Sequence, residues 1–172
     1  EEAFVEFGNR VPFFGRLIVC LDDPNVQKVL PRLADRRIIT YGLSPQADLS
    51  AVNLEPHGAG SRFGVRLRGD RLLGRIDLGT IELPIPGRHN VLNALAAVGV
   101  ALSLRVGFED VARALAGFGG VHRRFELLGT WRGAAVVDDY AHHPTEVAAT
   151  LAAARQTYPS GTVLAVFQPH LF

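Results

Sequence analysis

The sequence has no methionine, a single cysteine and almost no net charge. With Cys20 alone, no intramolecular disulfide can form, and the fold must rest on a packed core. A net charge of +1 supplies neither a basic field for nucleic acid nor an acidic tail. The longest apolar stretch, Val91 to Val106, is interrupted by Asn93, Gly99, Ser103 and Arg105. It is too short and too broken to span a bilayer, and reads instead as a buried helix. No secretory signal is visible, so the cytoplasm is the expected compartment. Neither GxxxxGK(S/T) nor GxGxxG occurs among these residues, and no CxxC, HxxxH or HExxH spacing suggests zinc. Methionine is missing even at position 1, and the opening EEAFVEF reads as helix interior. These residues are therefore expected to be a segment of a longer protein.

What is present suits a globular α/β protein, since 48% of residues are apolar and 20% charged. Phe4 to Val11 reads as the tail of a helix stopped by Pro12. GRLIVCL (15–21) is a continuous apolar run, as in a strand covered on both faces. Asp22, Asp23 and Pro24 then open a helix to about Leu33, and RIITYG (37–42) is a second strand, completing a βαβ unit. From Ala47 to Ile85, short alternating runs between Gly, His and Asp turns predict antiparallel strands. Pro86-Gly87 precedes a long helix from about Asn90 to Leu104, and a second helix follows over Glu109 to Ala116. GFGGVH (117–122) is the linker candidate. Beyond it come a hairpin around Arg132-Gly133, a helix from Pro144 to about Tyr158, and GTVLAVF (161–167) as a last buried strand. The expected division is 1–123 and 124–172, the second unit opening a new βαβ. Cys20 and Trp131 are expected to pack inside, with His57 solvated in its turn.

Three places could carry chemistry. In PGRHNVLNALAAV (86–98), Asn90 is a good N-cap and Asn93 lies on the same side of the first turn. An amide offers the donor and acceptor that the edge of adenine requires, although a capped helix with one hydrogen-bonded Asn explains the pattern as well. In HRRF (122–125), the adjacent Arg123 and Arg124 could grip phosphate oxygens or form a solvated pair. In VVDDYAHHPTEV (136–147), a strand delivers Asp138 and Asp139 to the end of a sheet, pointing to opposite faces. One of them could accept two ribose hydroxyls. His142 and His143 precede a helix N-terminus whose free N–H groups favour an anion such as a carboxylate. A capped turn with exposed histidines is the plainer reading.

Taken together, VPFFGRLIVCLDDP, PGRHNVLNALAA, HRRFELLG, VDDYAHHPTEV and VFQPH resemble the Mur ligases of bacterial cell-wall synthesis, in that family's order and over nearly the whole chain. The HNxxN and RRF segments are family-wide, whereas DDYAHHPTE and FQPH point to the branch that joins L-alanine to UDP-N-acetylmuramate. The resemblance implies a partial central ATPase domain to about residue 123, then the opening of a Rossmann-like C-terminal domain. It implies ATP-dependent activation of a carboxylate as an acyl phosphate, which the incoming amine converts to an amide. Asn93 would bind the adenine edge, with His89 and Asn90 shaping that pocket, and Asp139 would hold the ribose. Arg124, with Arg123 beside it, would reach the phosphates; His142 would act with Tyr140 and His143 on the amino-acid side. Arg124 and His142 are thus the expected catalytic residues. The resemblance places the family's phosphate loop, Mg²⁺ ligands and UDP-sugar domain upstream of these residues, so the isolated stretch is expected to ligate nothing.

Rival readings are a sister ligase that recycles a murein tripeptide onto the same UDP-sugar, a folylpolyglutamate synthase, and a non-catalytic nucleotide-binding module. FQPH argues against the first, and the paired histidines against the second.

Overall fold

A computed structural model describes residues 1–33, 36–69 and 74–169. Helix α1 (Glu2–Asn9) ends short of Pro12 and leads into strand β1 (Arg16–Cys20). Helix α2 (Pro24–Val29) starts where the sequence predicts: Asp23 Oδ1 accepts the N–H groups of Asn25 (2.7 Å) and Val26 (3.2 Å), with Pro24 at the first helical position. Pro31 lacks the N–H needed to continue an α-helix, and a 3₁₀ turn over Leu30–Arg32 completes the segment. Strand β2 (Arg37–Gly42) then pairs parallel with β1, giving the expected βαβ unit.

Strands β3 (Leu49–His57), β4 (Gly60–Arg68) and β5 (Arg75–Leu83) follow as antiparallel neighbours. They join β1 and β2 in one mixed five-stranded sheet of order β1-β2-β3-β4-β5. The parallel and antiparallel portions are joined by a short β2–β3 pairing, Tyr41 with Leu49 and Gly42 with Ser50. Asp22 secures this corner, accepting the N–H groups of Leu43 (2.8 Å) and Ser44 (3.0 Å). The apolar strand β1 is partly covered on both faces, with Leu17 to Cys20 half-buried. A methyl group added at Gly8 of α1 would meet Leu17, and one added on the helix across the sheet, at Gly99, would meet Ile18.

That opposite helix, α3 (Arg88–Ser103), is followed by α4 (Phe108–Ala116). Val91, Leu95 and Val98 recur at helical spacing and are fully buried against Leu49, Phe63, Val65 and Ile81 of the sheet. Each contributes about 1.5–3 kcal/mol by leaving water. Strands β6 (Glu126–Trp131) and β7 (Ala134–Asp138) follow, paired as an antiparallel hairpin, and then helix α5 (Pro144–Thr157). Arg132 (φ 49°) and Gly133 (φ 83°) form its turn; two left-handed residues match the twist of the flanking strands.

Three expectations are corrected. Residues 161–167 form no strand: Leu164 and Val166 are exposed, and no described strand pairs with the segment. A strand needs a hydrogen-bonding neighbour, which an apolar run does not itself provide. His170, the last residue of the FQPH motif, lies outside the described residues. Trp131 is 65% exposed rather than packed, with the Arg132 guanidinium 4.9 Å from its ring centre. Helix α3 begins at Arg88, and its N-cap is Gly87 rather than Asn90.

Replacing Leu95 by Ala is expected to cost about 2–5 kcal/mol, read as a lower urea midpoint. Replacing the 61%-exposed Leu128 by Ala should cost less than about 0.5 kcal/mol. Equal losses at the two positions would contradict this placement of the core.

Candidate functional site

A cavity of about 690 Å³ lies where the first turns of α3 and α5 face each other. Its floor is apolar, formed by Leu83, Ile85, Ala94, Ala97, Leu115 and Phe118. Polar groups also line it: His89, Asn90, Asn93, Arg124, Asp139, Thr145, Glu146 and Thr150. An apolar floor with a few convergent polar groups is the usual make-up of a small-molecule site.

Gly87 allows the two helices to approach. Its φ of 102° belongs to glycine, and a Cβ there would press on the His89 ring at 2.6 Å and on Ala153 of α5 at 3.3 Å. Because this bend ends at Gly87, Asn90 falls inside the first turn, where its backbone N–H already donates to Gly87 O (3.0 Å). The Asn90 side chain is therefore a brace: Nδ2 donates to Pro86 O at 2.7 Å. Asn90 and Asn93 do share a face, with Asn93 Nδ2 3.5 Å from Asn90 Oδ1. Among the described residues, no hydrogen bond occupies Asn93 Oδ1.

His89 is half-buried, and burial pushes its pKa below the usual histidine value. The Asp139 carboxylate opposes that shift, while the Arg124 guanidinium adds to it. A neutral imidazole presents one donor and one acceptor. Asp139 stands just beyond β7. Its Oδ2 accepts the Phe125 N–H (2.8 Å) and its Oδ1 the Ala141 N–H (2.7 Å). Each carboxylate oxygen keeps acceptor capacity for a further partner, such as one of a pair of neighbouring hydroxyls.

The adjacent arginines are separated. Arg123 and Phe125 have φ values of 57° and 50°, and the twisted backbone sends consecutive side chains different ways. Arg124 lines the cavity, with Nη1 3.5 Å from Glu146 Oε1. Arg123 does not line it: its Nε meets Asp138 Oδ2 at 3.2 Å, and its guanidinium lies 4.9 Å from the Tyr140 ring centre. A joint grip by both arginines is not the arrangement found. The two aspartates also diverge as predicted, Asp138 to Arg123 and Asp139 to the cavity.

Tyr140, His142 and His143 are outside the cavity lining. The Tyr140 and His142 rings meet edge to face at 5.0 Å, and His142 Nδ1 lies 3.0 Å from Tyr140 O. His143 is the N-cap residue of α5. Ahead of the helix, the Glu146 side chain reaches back, and its Oε2 accepts the N–H groups of His142 (3.3 Å) and His143 (3.2 Å). These bonds hold the Glu146 carboxyl below the usual carboxylate range. Glu146, Thr145, Thr150 and Phe118 are lining residues that sequence reasoning missed. The signal for Glu146 was its capping-box spacing from the N-cap, obscured because a histidine holds the place usually taken by Ser or Thr.

Residues 1–101 match the Mur ligase middle domain, and residues 123–170 match the family described as Mur ligase, glutamate ligase domain. The chain belongs to the Mur ligase family. Among curated relatives, UDP-N-acetylmuramate–L-alanine ligase of Rhodopseudomonas palustris is 49% identical over all of this chain and 37% of its own length. The enzyme of that name from Salinibacter ruber is 51% identical over all of this chain and 35% of its own length. The chain thus spans little more than a third of these Mur ligases. Among solved structures, MurF of Acinetobacter baumannii superposes with a TM-score of 0.75 at 25% identity, covering 90% of this chain and 32% of that one. The UDP-N-acetylmuramate-alanine ligase of Thermotoga maritima gives 0.64 at 31% identity, covering 84% of this chain and 31% of that one.

The environment of His89 predicts a titration in this Mur ligase chain. Its ring should protonate below the usual histidine pH, followed by NMR of the ring protons. Removing the cation with Arg124→Ala should raise the midpoint, and Asp139→Asn should lower it further. As pH falls through the ordinary histidine range, unfolded chains take up a proton that folded His89 resists, so stability should decline there. A midpoint insensitive to both substitutions would contradict the influence of these two charges on His89.

Proposed function

We propose that these residues form part of the nucleotide pocket of an ATP-dependent ligase that joins L-alanine to UDP-N-acetylmuramate in peptidoglycan precursor synthesis. The observation carrying this reading is the convergence of Asn93, His89, Asp139 and Arg124 on one apolar-floored cavity from distant parts of the chain. Identities of 49% and 51% to ligases of that name support the choice of substrates. Asn93, with its unoccupied amide oxygen, is assigned to the adenine edge, in a pocket shaped by His89 and Asn90. Asp139 is assigned to the ribose hydroxyls and Arg124 to the phosphates. Tyr140, His142 and His143 are assigned to the amino-acid side, His142 with a catalytic role, while Arg123 serves them by stacking on Tyr140. The phosphate loop and Mg²⁺ ligands are assigned to sequence outside these residues, and the protein to the cytoplasm.

In this reading the carboxylate of UDP-N-acetylmuramate takes the terminal phosphoryl group of ATP, releasing ADP. The L-alanine amine then displaces phosphate to form the amide. Arg124 would offset negative charge during transfer, a contribution worth about a hundredfold or more in kcat for comparable preorganised donors. Residues 1–123 and 124–172 are assigned to the middle and C-terminal domains respectively. A murein peptide ligase from Psychrobacter arcticus also superposes, with a TM-score of 0.67 at 26% identity. The higher identities favour L-alanine over a recycled peptide.

Calorimetric titration of the intact protein with a non-hydrolysable ATP analogue and Mg²⁺ tests the pocket. Asn93→Ala and Asp139→Ala should each lower affinity by about tenfold, the worth of one or two buried hydrogen bonds. Steady-state phosphate release with ATP and UDP-N-acetylmuramate should require L-alanine and fall about a hundredfold in Arg124→Ala. Unchanged nucleotide affinity in both pocket variants, with folding retained, would remove this assignment.

A further inference from the structure

The Glu146 carboxylate touches both sides of the site. One oxygen, Oε2, accepts the backbone N–H groups of His142 (3.3 Å) and His143 (3.2 Å) and lies 3.7 Å from His142 Nδ1. The other, Oε1, faces Arg124 Nη1 at 3.5 Å. The two attachments differ in strength. The backbone bonds cap α5 and hold the carboxylate ionised, so Glu146 is fixed to its own helix. The Arg124 contact is long, and the two side chains are 49% and 37% exposed. Half-exposed pairs of this kind contribute only about 0.2–1 kcal/mol. A phosphate group carries more charge than one carboxylate and can engage both arms of a guanidinium. Arg124 would therefore leave Glu146 for a phosphate, while Glu146 stayed with the His142–His143 turn.

We propose that Glu146 is a positioning residue that holds Arg124 at the cavity wall until a phosphate-bearing nucleotide displaces it, while bracing the turn that carries Tyr140 and His142. This rests on the nucleotide reading of the cavity. It assigns Glu146 two opposed effects, slowing capture of phosphate by Arg124 and keeping the amino-acid side in register. Its removal should therefore move binding and turnover in opposite directions, which a residue that merely caps the helix would not do.

The test uses the intact protein, with adenosine and ADP as calorimetric probes. Glu146→Gln keeps an amide oxygen to accept the backbone N–H groups, so α5 retains its cap, but it loses the charge that pairs with Arg124. It should bind ADP about two- to fivefold more tightly, which is the pair's expected strength expressed as affinity. Adenosine affinity should not change, and the ADP gain should vanish when Arg124→Ala is combined with Glu146→Gln. In turnover with L-alanine, Glu146→Gln should lower the KM for ATP, whereas Glu146→Ala, which lacks the backbone acceptor, should also lower kcat. Weaker ADP binding in Glu146→Gln, equal shifts for adenosine and ADP, or a gain that survives Arg124→Ala would each overturn the proposal while leaving the nucleotide pocket standing. If the wild type binds neither probe, the pocket assignment falls, and the role of Glu146 falls with it.

Discussion

The carboxylate of Asp139 is the joint on which the second half of the site depends. Its two oxygens take the N–H of Phe125, which leads into β6, and the N–H of Ala141, on the path to α5. Without it, two partly buried backbone donors would lack partners, at about 1–3 kcal/mol each if water could not replace it. The bonds bring the ends of the β6–β7 hairpin together and set the direction in which the chain reaches Pro144. Helix α5 can then bury Ala153 against Gly87, whose missing side chain leaves room for it. The same carboxylate acts on His89 across the cavity, so one group both shapes the site and contributes to its field.

Helix α3 serves two surfaces. Val91, Leu95 and Val98 fill the core against the sheet, whereas Asn90, Asn93 and Ala97 line the cavity from a neighbouring face. The small side chains of Ala94 and Ala97 leave open space where larger residues would complete a helix–helix contact with α5. The cavity thus follows from residue size as much as from chain path. It also explains why α3 has a weakly divided apolar pattern: a helix covered by the sheet on one side and facing a lined cavity on another has little surface to give to charge.

Where local chemistry determines structure, the sequence was readable. Asp23-Pro24 predicted a capped helix start, the alternation of 47–85 predicted antiparallel strands, and Arg132-Gly133 predicted a tight hairpin. The cluster from Asp138 to Glu146 was legible as unusual, and Asn93, His89, Arg124 and Asp139 do share one cavity. Features that depend on a distant partner or on the sign of φ were not legible. The apolar run 161–167 carries strand propensity but has no described neighbour to pair with. Asn90 is a good capping residue by type, yet Gly87 ends the bend first. Arg123 and Arg124 look equivalent in sequence, and only the left-handed backbone at Arg123 and Phe125 distinguishes them.

The segment between α4 and β6 shows how composition and structure can part. GFGGVH reads as a flexible linker, yet its continuation is closely tethered. The Arg124 N–H donates to Val121 O (3.0 Å), the Arg123 N–H to Glu126 Oε2 (2.8 Å), and the Tyr140 N–H to Arg123 O (2.8 Å). Non-glycine residues at positive φ cost on the order of 1–3 kcal/mol each, and bonds of this kind offset that cost at Arg123 and Phe125. Immediately upstream the setting changes, since a side chain at Gly119 would meet nothing within 4 Å. The open stretch therefore ends before the arginines, and the tethered stretch includes them. Arg124 is bound mechanically to Asp139 and α5, whereas Asn93 is bound to α3 and the sheet. The cavity spans that divide, and the close approach of Ala153 in α5 to Gly87 at the start of α3 holds its two sets of polar groups facing each other.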